Sequence, residues 1–158
     1  MTDEEILQGI KKHFCIQEFV SEKVYNKHGE NSWQFLSPRL LHTMLVIREE
    51  LDLSITINNW KWGGKFSQRG LRENTCSMVQ KKNKSNKTYL SAHVLGCAVD
   101  FDVEGMSANE VRDWLVKNQD KLPFKIRLER KLNGKYISWS HLDVYSNSKN
   151  DKVYLFDV

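Results

Sequence analysis

Two histidines and one aspartate are the residues of this 158-residue chain whose types and spacing point most directly to chemistry. His93 and Asp100 lie in the run SAHVLGCAVD at residues 91–100, and His141 lies in the run SWSHLDV at residues 138–144. Imidazole nitrogens and a carboxylate oxygen are donors that zinc accepts, and three such ligands leave a coordination position open for hydrolysis. The three residues therefore predict a zinc site, although the spacing alone equally fits a loop histidine and a charge at the end of a strand.

Strands must carry two of these three residues. Residues 98–103 alternate in polarity, which predicts a strand with Asp100 on its polar face. Asn133-Gly134 is typical of the turn between two antiparallel strands. With residues 124–131 before it and 136–144 after it, it predicts a β-hairpin whose second strand carries His141. The predicted site thus joins a local pair of ligands to a third ligand on a distant strand, so it forms only when the chain folds.

Helices and shorter strands complete the predicted architecture. Capping signals indicate helices that begin after Thr2, near Ser21, at Ser37-Pro38 and at Ser107, and short runs at residues 54–57 and 153–158 indicate further strands. Because helices come first and mostly antiparallel strands follow, we expect an α+β fold with a single domain over residues 1–158. A helical segment at residues 1–35 then precedes the sheet that carries the zinc site.

Composition narrows the classes of function. The 24 basic and 20 acidic side chains give a net charge of +4, which is too weak to indicate nucleic acid as a partner. Cys15, Cys76 and Cys97 lack C-x-x-C spacing, so neither a disulfide framework nor a zinc ribbon is predicted. We expect no signal peptide, because residues 1–5 lack its charge pattern, and no membrane span, because no apolar run approaches roughly 20 residues.

The pattern Ser-x-His-x-x-Gly-x-Ala-x-Asp, followed by Trp-x-His on a later strand, resembles a known family of zinc peptidases. This is the zinc D-alanyl-D-alanine carboxypeptidase family, which includes the L-alanyl-D-glutamate endopeptidases of phage endolysins and shares its fold with hedgehog signalling domains. The runs NNWKWGG (58–64), RGLR (69–72) and IRLE (126–129) resemble small phage-encoded members. The resemblance spans about residues 36–144.

The resemblance implies roles for individual residues. His93, Asp100 and His141 correspond to the zinc ligands, and Arg72 corresponds to the arginine that steadies the substrate or the developing oxyanion. The implied cofactor is Zn²⁺ and the implied substrate is a peptidoglycan stem peptide. Asp143 stands two residues from His141 on the same strand face, where a carboxylate is expected to orient a ligand histidine.

One departure from the family concerns the catalytic base. Members usually carry Glu or Asp three residues before the last histidine, where this chain has Ser138. A serine does not act as a base at neutral pH without a partner base. Glu129 is the expected substitute, on the first strand of the hairpin.

The register of the hairpin decides whether Glu129 can reach the metal. A two-residue turn puts the apolar residues of the first strand on the face of His141, whereas a three-residue bulged turn puts Glu129 on that face. We expect the three-residue turn, since it aligns the apolar residues with one another and a one-residue slip exchanges the faces. Glu129 then pairs with Ile137, about 13 Å along the strand from His141, unless a bulge or bend brings it back.

The predicted function is hydrolysis of peptidoglycan stem peptides by a zinc peptidase, of the D,D-carboxypeptidase or the L-Ala-D-Glu endopeptidase type. A phage lysin of this kind stays in the host cytoplasm until it is released or travels with the virion, and a cytoplasmic enzyme for cell-wall precursors fits as well. The alternative is a phage structural or cell-wall-binding protein that keeps the zinc fold and has lost catalysis, with Ser138 as the mark of that loss. The oligomeric state is left open.

Residues 60–90 are predicted to form a long loop that is rich in lysine near its end. The lysines concerned are Lys81, Lys82, Lys84 and Lys87. A loop of this length is functional or disordered more often than not in a compact domain. Its simplest interpretation is a solvated loop, and its functional interpretations are attraction to an anionic polymer and a lid over the site.

Overall fold

A computed structural model describes residues 1–84, 88–146 and 148–158, and these form the α+β fold that the sequence predicts. The α-helices are α1 (Asp3–Ile10), α2 (Ile16–Phe19), α3 (Glu22–His28), α4 (Pro38–Leu51), α5 (Ser77–Asn83) and α6 (Ala108–Lys117). The strands are β1 (Ile55–Thr56), β2 (Ala98–Val103), β3 (Ile126–Leu132), β4 (Lys135–Asp143) and β5 (Val153–Asp157). Short 3₁₀ helices occupy Gly29–Phe35, Trp60–Trp62 and Gln119–Lys121.

The main helices begin at the predicted capping signals. Thr2 and Glu5 form a reciprocal capping box at the start of α1, and Ser107 and Glu110 form another at the start of α6. Pro38 is the first residue of α4, where its missing N–H costs no hydrogen bond. These starts are fixed locally, by hydrogen bonds between side chains and the free backbone N–H groups of the first turn.

The sheet has the strand order β1-β2-β4-β3-β5. All neighbouring strands are antiparallel except β3 and β5, which are parallel, so the prediction of a mostly antiparallel sheet is confirmed. Helix α6 contacts β2 and β4, and α1 contacts α4. Val99, Phe101 and Leu142 have no exposed surface and lie in the apolar core. This face of the sheet belongs to the core, and the alternate residues of the same strands point to the other face.

The hairpin of β3 and β4 corrects the predicted turn. Asn133 and Gly134 form a two-residue turn with positive φ angles of 51° and 77°, so the prediction of a three-residue turn is wrong. Both central residues of this turn must adopt positive φ, and Asn and Gly do so more readily than other residues. The register then changes further along the hairpin, between Glu129 and Lys131, and beyond this irregularity Glu129 pairs with His141. The predicted pairing of Glu129 with Ile137 is therefore also wrong.

Residues 60–90 contain more regular structure than a loop. A 3₁₀ helix forms at Trp60–Trp62, and α5 forms at Ser77–Asn83, where Val79 is the buried residue of the helix. Lys81 and Lys82 lie on α5 and Lys84 follows it, whereas Lys87 lies outside the described residues. Within the described part of the chain, no helix is both long enough and apolar enough to cross a membrane.

Candidate metal centre

Three neighbouring strands place two carboxylates and an imidazole in one row across the sheet. His141 on β4 pairs with Asp100 on β2 at one side and with Glu129 on β3 at the other. Residues that are directly opposite in antiparallel strands point to the same face, with Cβ atoms about 4.5–5.5 Å apart. The three side chains are therefore neighbours on the face opposite to the apolar core.

The loop before β2 brings His93 to the same place. Its Nδ1 lies 2.8 Å from the carbonyl oxygen of Gly70, and a carbonyl only accepts, so Nδ1 carries the proton and Nε2 faces the strands. A Cβ at Gly70 would come within 2.1 Å of the carbonyl oxygen of Phe19. Gly96 has a φ of +66°, and a Cβ there would come within 2.0 Å of the carbonyl oxygen of Phe35. Both glycines are needed for the backbone to carry His93 to the sheet.

Three donor atoms converge at this point. His93 Nε2 lies 3.3 Å from Asp100 Oδ1 and 3.3 Å from His141 Nδ1, and the last two atoms are 2.7 Å apart. Ligands bound to a tetrahedral ion at 2.0–2.1 Å are about 3.3 Å from one another. Two of the three distances match this value, and the third is shorter because the carboxylate and the imidazole share a direct hydrogen bond. The buried cluster of His93, Asp100 and His141 could hold a metal ion.

The protonation of the donors also suits a cation. Burial lowers the pKa of His93 and keeps its ring neutral. Its Nε2 therefore presents a lone pair toward Asp100 Oδ1 and His141 Nδ1, where it could bind a cation. Burial alone would raise the pKa of Asp100, but its interactions with the two histidines, led by the hydrogen bond from His141, outweigh burial and lower the pKa below its usual value. Asp100 is thus a carboxylate across the physiological range.

A second carboxylate, that of Asp143, contacts the ring nitrogen of His141 that faces away from Asp100. His141 Nε2 lies 3.4 Å from Asp143 Oδ2, and Asp143 in turn accepts two hydrogen bonds from Arg127 and one from the backbone N–H of Tyr145. Burial alone would lower the pKa of His141, but the hydrogen bonds with Asp100 and Asp143 outweigh it and raise the pKa to about 9. In the metal-free protein His141 is therefore an imidazolium, and a metal ion must displace its Nδ1 proton.

Arg72 contacts a metal donor. Its Nη2 donates to Asp100 Oδ2 at 2.9 Å, and its Nε donates to the carbonyl oxygen of Gln68 at 2.9 Å. The resemblance implies that Arg72 contacts the substrate or an oxyanion, and this stays a prediction; in the structure its guanidinium donates to the outer oxygen of Asp100. This contact leaves the other carboxylate oxygen, Oδ1, turned toward the two histidines.

Glu129 lies beside the donors, in contrast to the separation expected from the sequence. It is half-buried, and burial raises the pKa of its carboxyl group. Ser138, at the position where the resembling enzymes carry their acid, is exposed on the irregular part of β4. Glu129 is therefore the second acidic residue, beside Asp100, that pairs directly with His141 across the sheet.

The sequence did not reveal an aromatic wall next to these residues. Phe156 on β5 pairs with Glu129, and its ring stands edge-on to His141 with 6.1 Å between the ring centroids. The guanidinium of Arg127 lies 5.0 Å from the ring centre of Phe156 and 5.1 Å from that of Tyr145. The alternation of residues 153–158 predicts β5, but no local signal shows that β5 runs parallel beside β3.

Two cavities beside the N-terminal helices lie away from the donor atoms. One of about 470 Å³ lies between α1 and α4 and includes Trp33 in its wall, and one of about 310 Å³ lies beside α3 and includes Lys27. No metal-donor residue lines either cavity. We therefore identify the site by its donor chemistry and by its neighbours Glu129 and Phe156 on the same face of the sheet.

Comparisons with known proteins leave the chain without an assigned family. No protein-family model matches it, and searches of curated proteins and of solved structures give no match either. The assignment of a function therefore depends on the chemistry of the site and on the sequence motifs.

Proposed function

We propose that this protein is a zinc-dependent peptidase that hydrolyses peptidoglycan stem peptides. The observation that carries the proposal is the row Asp100–His141–Glu129 across the sheet, with His93 closing the donor set. It supplies three metal donors and an adjacent carboxylate, which are the parts that metal-assisted hydrolysis needs. The choice of substrate is supported by the resemblance of the two histidine motifs to the zinc carboxypeptidase family.

The donor set favours zinc. His93 Nε2, Asp100 Oδ1 and His141 Nδ1 would hold the ion, and two nitrogens with one carboxylate oxygen are ligands that zinc binds in hydrolytic sites. When bound, zinc polarises a carbonyl group and lowers the pKa of a coordinated water toward about 7. Arg72 donates a hydrogen bond to Asp100, and Asp143 contacts His141. These contacts fix the directions in which the two donors point.

Glu129 is the proposed general base. Its carboxylate accepts a proton from the water that attacks the scissile carbonyl carbon, and it then gives this proton to the nitrogen of the leaving amine. The products are a carboxylic acid and a free amine. A raised pKa brings the carboxyl group of Glu129 closer to the working pH, which helps both proton transfers.

Turnover tests the proposal. The purified protein, loaded with one zinc per chain, is incubated with muropeptides, and mass spectrometry follows the products with and without a chelator. We expect release of D-alanine or cleavage between L-Ala and D-Glu, loss of this activity with the chelator, and recovery with added zinc. Absence of any cleavage by the zinc-loaded protein would contradict the proposal.

The exposed serine at position 138 favours one other function, a cell-wall-binding or phage structural protein that keeps the metal centre without catalysis. Such a protein would bind zinc equally well, so metal content does not separate the two functions. Sedimentation of the zinc-loaded protein with purified cell walls, in the absence of cleavage, would favour this second function.

Zinc binding should release a proton. Because the pKa of His141 is raised to about 9, its Nδ1 is protonated at neutral pH, whereas His93 is neutral and Asp100 is ionised. We expect release of about one proton per zinc near pH 7 and an affinity that rises with pH until the pKa of His141 is passed. Calorimetry in buffers of different ionisation enthalpy measures the proton count, and a count of zero would contradict ligation by His141.

Replacing Asp143 should weaken zinc binding without removing a ligand. In Asp143→Asn the neutral amide no longer pairs with Arg127 and polarises the ring of His141 less than a carboxylate does. We expect zinc affinity to fall about 10–100-fold, as is typical when a partner behind a ligand histidine is lost. Titration against a competing chelator measures this, with Asp113→Asn on the exposed side of α6 as the control that should bind zinc like the wild type.

A further inference from the structure

Arg112 on α6 is a buried arginine whose side chain reaches into the β3–β4 hairpin. Only 4% of the residue is exposed. Its Nη1 donates to the carbonyl oxygens of Glu129 at 3.4 Å and Trp139 at 3.2 Å. Its Nη2 donates to the carbonyl oxygen of Ile137 at 3.2 Å and to Asn109 Oδ1 at 2.7 Å. One guanidinium therefore binds three carbonyl groups from both strands of the hairpin.

These carbonyl groups lie where the register of the hairpin changes. Lys131 pairs with Tyr136, and the next recorded pair is Glu129 with His141. Between these two pairs the chain advances by two residues on β3 and by five residues on β4. β4 therefore has three extra residues at this point. A bulge of this kind removes ladder partners from backbone carbonyl groups, and buried carbonyl groups need other donors.

The change of register decides which face Glu129 occupies. If the register of the Asn133–Gly134 turn continued unbroken, Glu129 would pair with Ser138. An offset of three residues exchanges the two faces of a strand, because side chains alternate with a period of two. In the unbroken register Glu129 would therefore point away from the face of His141, toward the core.

The guanidinium is suited to hold this irregular geometry. It offers five N–H donors in a rigid planar fork, and it stays charged when buried. Desolvation lowers the pKa of Arg112 from its usual value, but the three carbonyl groups and Asn109 satisfy its donors. A lysine at this position would offer a single nitrogen with three donors and no fork, so it could not span all the same acceptors.

We infer that Arg112 is a positioning residue that holds the β3–β4 register and so sets Glu129 beside His141. The inference depends on the proposed function only in assigning Glu129 as the base. The hydrogen bonds of Arg112 go to Asn109 and to the backbone of Glu129, Ile137 and Trp139, none of which is a proposed metal donor. Loss of Arg112 should therefore affect the base and leave zinc binding in place.

The test compares Arg112→Met and Arg112→Lys with a matched control, Arg130→Met. Arg130 is one residue from Glu129 but is exposed and pairs with Asp157 at the outer edge of the sheet. In the Arg112 variants we expect one zinc per chain, a KM close to that of the wild type and a kcat lower by about 10²–10⁴-fold, as for loss of a general base. The control should keep the wild-type kcat.

Cross-strand nuclear Overhauser effects provide a readout that needs no turnover. In the wild type they should join Glu129 to His141, and in Arg112→Met they should weaken or join Glu129 to Ser138. This arm remains valid if the wild-type protein proves inactive, which would refute the peptidase proposal alone.

Three results would overturn the inference. One is an unchanged register in folded Arg112→Met, and another is a changed register with unchanged kcat in an active protein. The third is failure of both Arg112→Met and Arg112→Lys to fold, which would make Arg112 a residue of the fold as a whole. Recovery of kcat in Arg112→Ala with added guanidinium ion would support the inference.

Discussion

Glu129→Gln is expected to abolish most of the hydrolytic activity while leaving zinc bound. Glutamine has the shape of glutamate but cannot accept the proton of the attacking water, so kcat should fall by about 10²–10⁴-fold. Zinc stoichiometry and KM should stay close to the wild-type values, because Glu129 pairs with His141 across the sheet but is not among the three donors. Initial rates of muropeptide cleavage and the zinc content of the same samples measure both effects.

The matched control for this variant is Glu104→Gln. Glu104 is an exposed glutamate in the turn after β2, so the same chemical change there should leave kcat unaltered. If Glu129→Gln keeps wild-type kcat, the base is another group and the proposed mechanism is wrong in this step. If it loses zinc as well, Glu129 acts on the metal centre itself, and the fall in kcat no longer reports proton transfer.

The three residues of the candidate metal centre could be picked out from the sequence by the resemblance of their motifs, and short-range patterns predict the strands that carry two of them. His93 and Asp100 are seven residues apart in one run, and the alternation of residues 98–103 shows which face Asp100 occupies. His141 lies in a strand that an Asn-Gly turn makes recognisable. The capping residues likewise fixed the starts of α1, α4 and α6.

The position of Glu129 could not be found in this way. It depends on three excess residues in β4, and the carbonyl groups of that bulge are satisfied by Arg112, which comes from a helix outside the hairpin. Local turn chemistry gives only the register at the turn, and here that register and the apolar pattern disagree. The apolar pattern predicts the face on which Glu129 lies, but neither pattern predicts the bulge that pairs Glu129 with His141.

The direction of the Arg72 side chain also could not be predicted from the sequence. Its position before His93 suggests a substrate contact by resemblance, whereas its direction depends on how residues 68–72 pack beside β2. The backbone N–H of Asp100 donates to the carbonyl oxygen of Arg69, and the backbone N–H of Arg72 donates to that of His93. These two bonds bring the guanidinium to Asp100.

Asp100→Asn is expected to remove zinc binding and to destabilise the metal-free protein as well. The amide is a weaker ligand than the carboxylate, and the change leaves the part-buried cation of Arg72 without its anion and the buried His141 with Asp143 alone. Breaking a buried ion pair on one side typically costs about 3–5 kcal/mol in the free energy of unfolding. Zinc at 100 times its dissociation constant should add about 2.7 kcal/mol to the wild type and nothing to the variant.

Asp102→Asn is the matched control, because Asp102 occupies the same face of the same strand two residues further on. Its carboxylate is 43% exposed and pairs with Arg69, and a pair of this kind typically contributes about 0–1 kcal/mol. Urea unfolding with and without zinc, together with the metal content of each variant, separates the two aspartates. If Asp100→Asn stays zinc-loaded and gains the same stability from zinc as Asp102→Asn, then Asp100 is not a ligand. The ion would have to bind elsewhere, and the row of Asp100, His141 and Glu129 would lose its catalytic meaning.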